Sequence, residues 1–208
     1  MTFISKLTFA VVALLLAAVG SVANNVHAAA LRRQRIDLTL TSMRGAIESA
    51  ETVRAMVSNM HAHQAFNTEA LISEAAASKD VRKSAYYDTV PIVAAWKSLS
   101  AAAQRQGYEL RVAKKNARNT KNEPTAAEAG ILDDLEKTGH AEYIKLDEAA
   151  NSVIYARPIR LTADCLSCHG DPATSKTHDG KDEVGFDMEG WKAGEVHGAF
   201  ILTAQVDR

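Results

Sequence analysis

Cys165 and Cys168 are the only cysteines of the 208-residue chain, and they stand in the stretch DCLSCHGD with His169 directly after the second. With two cysteines and seven histidines in all, chance produces this arrangement about once in a few thousand sequences. Four chemistries use such a spacing. A disulfide would close a loop too short for closure to contribute much stability, and a lone staple there would hold nothing else together. A thioredoxin-like dithiol sits at the start of a helix in a βαβ unit, and it leaves the histidine without a role. Zinc calls for four protein ligands; no second Cys/His pair at matching spacing is present, and His178 alone does not complete a set. Attachment of one haem c uses all three side chains. Each thiol adds across one vinyl group of the porphyrin, the two-residue gap spans the vinyls, and His169 then lies under the iron as proximal ligand.

The task of such a haem depends on the opposite axial position. A methionine or second histidine there makes an electron carrier, whereas an empty or weakly held position makes a gas-responsive site. Met56, Met60 and His63 fall at i, i+4 and i+7 and share a helical face. Met60 and His63 are the distal metal-ligand candidates on it, with His61 on the adjacent face. The competing reading of such a stripe is a core filler. Tyr86 and Tyr87, just before Pro91, are the other candidates for the haem surroundings, although most tyrosines hold ordinary packed positions with a hydrogen-bonded hydroxyl.

The elements that position these residues read as α+β. From Ile36 the apolar residues Leu40, Met43, Ile47, Ala50, Val57 and Met60 recur at helical spacing, which predicts one long amphipathic helix, or two collinear ones, ending near Ala77. Asp88 and Thr89 before Pro91 open a second helix, with Ile92, Trp96, Leu99 and Ala103 on its apolar face and Gly107 as its stop. YELRVA alternates as a half-buried strand does. The segment KKNARNTKNEP reads as a loop and TAAEAGILDDLEKTG as a short helix ended by Gly139. AEYIKL and NSVIYARPIRL form a hairpin, and GEVHGAFILTAQV closes an antiparallel sheet of three or four strands, with the DCLSCH segment inserted between the last two. HDGKDEVGFDMEGW reads as a loop over one side of the site.

Domain bounds follow: 1–30 a signal peptide or membrane anchor, 31–80 the long helix, 81–208 the haem domain. The apolar run of residues 7–23 is 17 residues long, the lower limit for a spanning helix, and small-residue sites at Ser21-Val22-Ala23 and Val26-His27-Ala28 suit cleavage. Both readings put the remainder outside the cytoplasm, on the periplasmic side of an inner membrane. The chain is otherwise ordinary for a soluble globular protein, with 47% hydrophobic and 24% charged residues. A formal charge of −1 gives no reason to expect nucleic acid as a partner.

Three blocks make the chain resemble the exported c-type haem domains with a PAS-like fold, found alone in cyanobacteria and other bacteria and as periplasmic input modules of chemoreceptors and histidine kinases. RNTKNEPTAAE is similar to the family's R-N-P-x-N-x-P-x-x-x-E stretch at Arg118, Asn119, Asn122, Pro124 and Glu128, with Thr120 where proline is usual. IYARPIRLTADCLSCHGDP resembles the haem-attachment strand and motif. GWKAGEVHGAFILTAQV is similar to the closing strand through Gly190, Gly194, Glu195, Gly198 and Ala199. The likeness covers residues 85–206. It implies a PAS-like antiparallel sheet flanked by helices and places Cys165, Cys168, His169, Tyr86, Tyr87 and Arg118 around the cofactor.

Some members carry a distal cysteine a few residues before the first helix of the domain; here Tyr86 and Tyr87 occupy that neighbourhood, and both cysteines of the chain are taken by the thioether bonds. The resemblance therefore implies a non-enzymatic sensor of a diatomic gas or of redox state. It would be anchored by or exported through its N-terminus, homodimeric through the long helix, and dependent on a partner for output. A small c-type cytochrome with Met60 or His63 as sixth ligand is the rival. A peroxidase is the weaker third reading, because no distal acid/base pair can be named and His140 falls at a predicted helix end.

Overall fold

The computed structural model describes residues 3–206, with side chains from residue 19 onward and at Val12 and Leu16. The first half of the 7–23 apolar run thus falls mostly outside the described side chains. Among the described residues no helix is long and apolar enough to cross a membrane.

Helix α1 (Phe3–Ala62) carries the expected apolar face: Leu40, Met43, Ile47, Ala50 and Val57 are buried. It does not run on to Ala77. Gln64 turns to φ +54, Ala65 N–H donates to the Met60 carbonyl at 2.9 Å and Gln64 N–H to that of His61 at 3.0 Å. This is a Schellman closure with glutamine in the left-handed place. Helix α2 (Thr68–Ala77) then restarts behind Asn67, whose side chain accepts from Ala70 N–H. The αL residue at 64 ends α1, so the expected helix to Ala77 is divided into two.

Two further helices follow, α3 (Ala85–Thr89) and α4 (Pro91–Gln106). Pro91 stands in the first turn of α4, where a missing N–H costs nothing, and Gly107 ends it at φ +72. On α4 Val93, Ala95, Leu99 and Ala103 are buried, whereas Trp96, expected on that face, is 39% exposed. Ala95 fills the close approach to α1 that an indole could not.

Strand β1 (Glu109–Ala113), helix α5 (Ala126–Thr138), strands β2 (Tyr143–Asp147) and β3 (Ser152–Arg160), the short helix α6 (Leu166–His169) and strand β4 (Val196–Gln205) complete the order. The sheet is antiparallel throughout in the order β1-β4-β3-β2. Both faces of its centre are buried. Val153, Tyr155, Phe200, Leu202 and Ala204 pack against α1 and α4, while Ala156, Ala199 and Ile201 pack against Leu132 and Leu135 of α5. Burying such a leucine or phenylalanine contributes about 1.5–3 kcal/mol each. Arg44 of α1 also grips Glu142 with two bonds of 2.9 and 2.7 Å, and the Tyr155 hydroxyl donates to the same carboxylate at 3.0 Å. Helix, hairpin start and sheet are thereby tied at one point.

Glu128, one of the residues carrying the family likeness, has a structural task. It forms a reciprocal capping box with Thr125 at the start of α5 and takes the Arg111 guanidinium of β1 at 2.9 and 3.3 Å. The Arg111 hydrogen bonds hold its carboxyl below the ordinary 4.5, and they outweigh a smaller opposing effect of burial. Its stabilisation is therefore complete above pH about 4.5 and is lost as the pH falls below. Glu128→Ala is expected to cost about 2–3 kcal/mol, the loss of a cap plus a charged hydrogen bond. Glu128→Gln, which keeps the cap acceptor, should cost less than half as much. Urea midpoints check both, and midpoints equal to wild type for both variants would show that the box and the ion pair carry nothing.

Candidate functional site

The DCLSCH segment leaves the end of β3 under close backbone control. Leu161 N–H donates to the Glu195 carbonyl at 3.1 Å, and Gly194 N–H donates back to the Leu161 carbonyl at 2.8 Å. A single 3-10 turn (Ala163–Cys165) then runs into α6, so that the two cysteines and His169 lie on consecutive turns. Both cysteines are free thiols and half-buried. Gly170 closes this turn back on itself: its N–H donates to the Leu166 carbonyl at 2.9 Å, and a Cβ there would come within 2.5 Å of that same oxygen. The glycine after the histidine is therefore required by close approach and is more than the beginning of the next loop.

The HDGKDEVGFDMEGW tract, expected as a loop over the site, is pinned to the motif. Gly190 N–H donates to the Gly170 carbonyl at 2.9 Å and Trp191 N–H to the His169 carbonyl at 2.8 Å. Inside the tract Asp182 is buried and accepts from the Val184 and Phe186 N–H groups at 3.0 and 2.9 Å. The tract behaves as a strap with its own internal bonding.

Arg118 joins strap and motif. Its guanidinium donates to Asp182 at 2.7 Å, to Glu189 at 2.8 and 3.1 Å, and to the carbonyls of Cys168 and Asp187 at 2.7 and 2.8 Å. Phe186 packs on its face at 5.3 Å. Glu189 in turn bonds His169 Nδ1 at 2.8 Å and takes Lys114 Nζ at 3.3 Å. Burial works against the Glu189 carboxylate, but the His169 hydrogen bond and the surrounding charges of His169, Lys114 and Arg118 outweigh it and bring its pKa down to about 2. His197 stacks beside His169 with ring centroids 4.5 Å apart, and its Nε2 is buried without a hydrogen-bond partner. Burial, then the Lys114 and His169 charges, push its pKa down to about 3, so this ring is neutral. His169, Glu189 and His197 bring their ligand atoms within 4.8 Å of one another. Two cations already occupy the carboxylate, which argues against a lone metal ion there.

In front of the motif lies a cavity of about 360 Å³. Its walls are Cys165, Cys168 and His169 on one side, Arg54, Ser58 and His61 of α1 on another, and Tyr86, Val90, Pro91 and Ile92 from α3 and α4 opposite. The volume is in the range of small-molecule and cofactor sites, which run from about 300 to 1,000 Å³. Two free thiols three residues apart on one wall, a histidine beside them and an apolar facing wall fit a covalently held macrocycle. Burial, with Asp182 adding to it, pushes the Cys168 thiol up, so it is protonated at neutral pH. Burial likewise pushes up the Tyr86 phenol, with Cys168 and Asp182 adding to the shift, which keeps it a hydrogen-bond donor.

The structure thus gathers Cys165, Cys168, His169 and Tyr86 on one cavity. Tyr87 is half-buried, its phenol also raised by burial, but it is not on the cavity wall. Arg118 stands behind the motif and touches its backbone, so it positions the cysteine segment. Met60 and His63 are not on the wall, and His63 is exposed, because the 56/60/63 stripe faces away from the cavity around the axis of α1. His61 is there instead, with Nε2 2.7 Å from the Thr89 carbonyl and its ring 4.8 Å from that of Phe66. The face of α1 that meets the cavity is Arg54, Ser58 and His61, again at i, i+4 and i+7. That face was readable by the same spacing rule as the 56/60/63 stripe, and only its rotation about the helix axis was hidden. Arg54 donates to the Arg160 carbonyl at 3.0 Å and reaches to 3.6 Å from Cys165 Sγ, and Ser58 donates to Asp164 at 2.8 Å.

Over residues 32–204 the chain matches the Tll0287-like family. Among solved structures its fold resembles that of the cyanobacterial heme-protein Tll0287, with a TM-score of 0.55 and 17% identity over 80% of this chain and 94% of that one. No curated protein matches. The match begins at residue 32, so it takes in the packed half of α1, which the sequence likeness starting at residue 85 had left outside. The long helix and the four-stranded antiparallel sheet are common to both folds. By this match, which spans most of its length, the chain belongs to the Tll0287-like family.

Proposed function

We propose that the protein is a haem c sensor domain on the exported side of a membrane, responding to a diatomic gas or to redox state without catalysing a reaction. One observation carries the reading: two free thiols and His169 share a cavity wall that faces Tyr86 and His61, with no third thiol in the chain. The structural relative Tll0287 is a heme-protein, which supports the same cofactor. Haem, when bound, supplies an iron whose sixth position can take a small ligand. Cys165 and Cys168 hold the group, His169 offers its ring nitrogen, Tyr86 offers an O–H to a bound diatomic, and Arg54 offers a positive charge at the rim. The cavity abuts the last turns of α1, which gives a route from ligand to helix. Val19, Val22, Val26, Leu31 and Leu38 are exposed along α1, and they support a homodimer or a membrane contact through that helix.

The electron-carrier reading retains one observation in its favour, the placement of His61 on the cavity wall. Optical spectra of the reduced protein with and without carbon monoxide separate the two. A sensor shows a large shift on adding the gas. A low-spin spectrum indifferent to carbon monoxide, becoming responsive only in His61→Ala, supports the carrier and overturns the sensor.

A further inference from the structure

The His169 imidazole has a second partner that sensing as such does not require. Its Nδ1 lies 2.8 Å from Glu189 Oε2, which leaves Nε2 as the ring atom available to a metal. Histidines that ligate metals commonly donate their other ring N–H to a carboxylate, and that bond fixes ring orientation and raises ligand basicity. The carboxylate here is not a loose surface group. Arg118 donates to both of its oxygens, Lys114 reaches Oε1 at 3.3 Å, and the side chain is 22% exposed. The same guanidinium holds the Cys168 carbonyl at 2.7 Å, and Trp191 N–H holds that of His169 at 2.8 Å. The ring and its carboxylate are therefore fixed by one frame.

We propose that Glu189 is a positioning residue for His169: it sets the ring tautomer with the proton on Nδ1 and, through its charge, lowers the one-electron potential of an iron held by Nε2. The inference rests on the haem reading above. Its electrostatics are simple. Reduction adds one electron to the iron, taking it from ferric to ferrous, and a fixed anion one ring away favours the more positive ferric state. Arg118 and Lys114 hold the carboxylate in place by hydrogen bonds and limit how far its charge acts. His197 touches the same ring but makes no hydrogen bond to it, so it provides a packing control.

The test uses the full-length protein in two forms. In the haem-loaded form, Glu189→Gln keeps the shape and an acceptor while removing the charge. It is expected to raise the ferrous-to-ferric ratio about tenfold at a fixed ambient potential, equivalent to about 59 mV for one electron. The iron–histidine stretching frequency is expected to fall with it, and His197→Phe should move the ratio by less than about twofold, since it removes no charge beside the iron. In the haem-free form at alkaline pH, nitrogen NMR of His169 should show the Nδ1–H tautomer, and Glu189→Leu should lose that preference. Unchanged potential in Glu189→Gln together with an unchanged tautomer in Glu189→Leu overturns the assignment. A wild-type protein that never takes up haem overturns the functional reading instead, and the haem-free tautomer then still decides the role of Glu189.

Discussion

Replacing Cys165 and Cys168 together by serine is expected to remove haem from the denatured polypeptide altogether. On the proposed haem c reading, each attachment would form a bond from Sγ to a vinyl carbon while the thiol hydrogen went to the neighbouring carbon, so the addition would consume a thiol and need no oxidant. A serine hydroxyl does not add in this way. Both thiols are free and half-buried at the cavity, and Cys165 Sγ lies 3.1 Å from the Thr162 hydroxyl. On the same reading a single replacement would leave one thioether, and haem is then expected to stay with the chain through denaturation with a shifted pyridine haemochrome. The measurement is haem-linked peroxidase staining on a denaturing gel of protein made in a host that matures c-type cytochromes. Staining of the double-serine chain equal to wild type would show that the cysteines do not hold the cofactor. His169→Ala should keep the stain and change the spectrum, which separates attachment from ligation.

Arg118→Ala is expected to destabilise the domain by about 3–5 kcal/mol, the range for breaking a buried ion pair from one side. That is a large part of the roughly 5–15 kcal/mol by which domains are stable. Asp182, whose side chain is 1% exposed, would be left a buried anion without its cation, and the carbonyls of Cys168 and Asp187 would lose their donor. Arg118→Lys should recover little, because one ammonium cannot serve Asp182, Glu189 and two carbonyls from one position as the planar fork does. Urea midpoints give the stability, and proteolysis within the 179–190 strap gives the local effect. A midpoint within about 1 kcal/mol of wild type, the usual worth of a surface pair, would mean that the fork is ornamental and that Asp182 finds another partner.

The parts of this protein that could be read from sequence are those encoded locally. Gly107 and Gly139 end α4 and α5 in the left-handed conformation as their positions suggest, and Thr125 with Glu128 forms a capping box from residues three apart. The closing strand β4 and the insertion of the cysteine motif after β3 also follow from pattern alone, whereas the burial of β4 on both faces does not. What could not be read depends on rotation or on distance along the chain. The choice between His61 and the Met60/His63 pair turned on the rotation of α1 about its own axis, which presents the 54/58/61 face to the cavity. Trp96 was assigned to the core by spacing, but the contact between α1 and α4 is too close for it. Glu189 and His197 lie 20 and 28 residues beyond His169, and only the strap and the β4 register bring them to it. No periodicity in a polar, glycine-rich tract announces a carboxylate aimed at a distant ring.

Helix α1 is one continuous helix whose packed stretch is off-centre along its length. Its buried face is centred near Ile47, which is fully enclosed and flanked by the Arg44–Glu142 clamp. From there to His61 at the cavity is about 21 Å, and from there to Phe3 is about 66 Å, at 1.5 Å per residue. The longer arm is packed as far as Ile36, and beyond it the Arg32–Glu148 pair is a largely surface contact worth little. A rigid rod pivoting at such an off-centre point returns a displacement of its short end about threefold larger, and in the opposite direction, at its long end. An ångström of movement beside the cavity is geometrically a sweep of about three ångströms at the far tip, before any partner or membrane is considered.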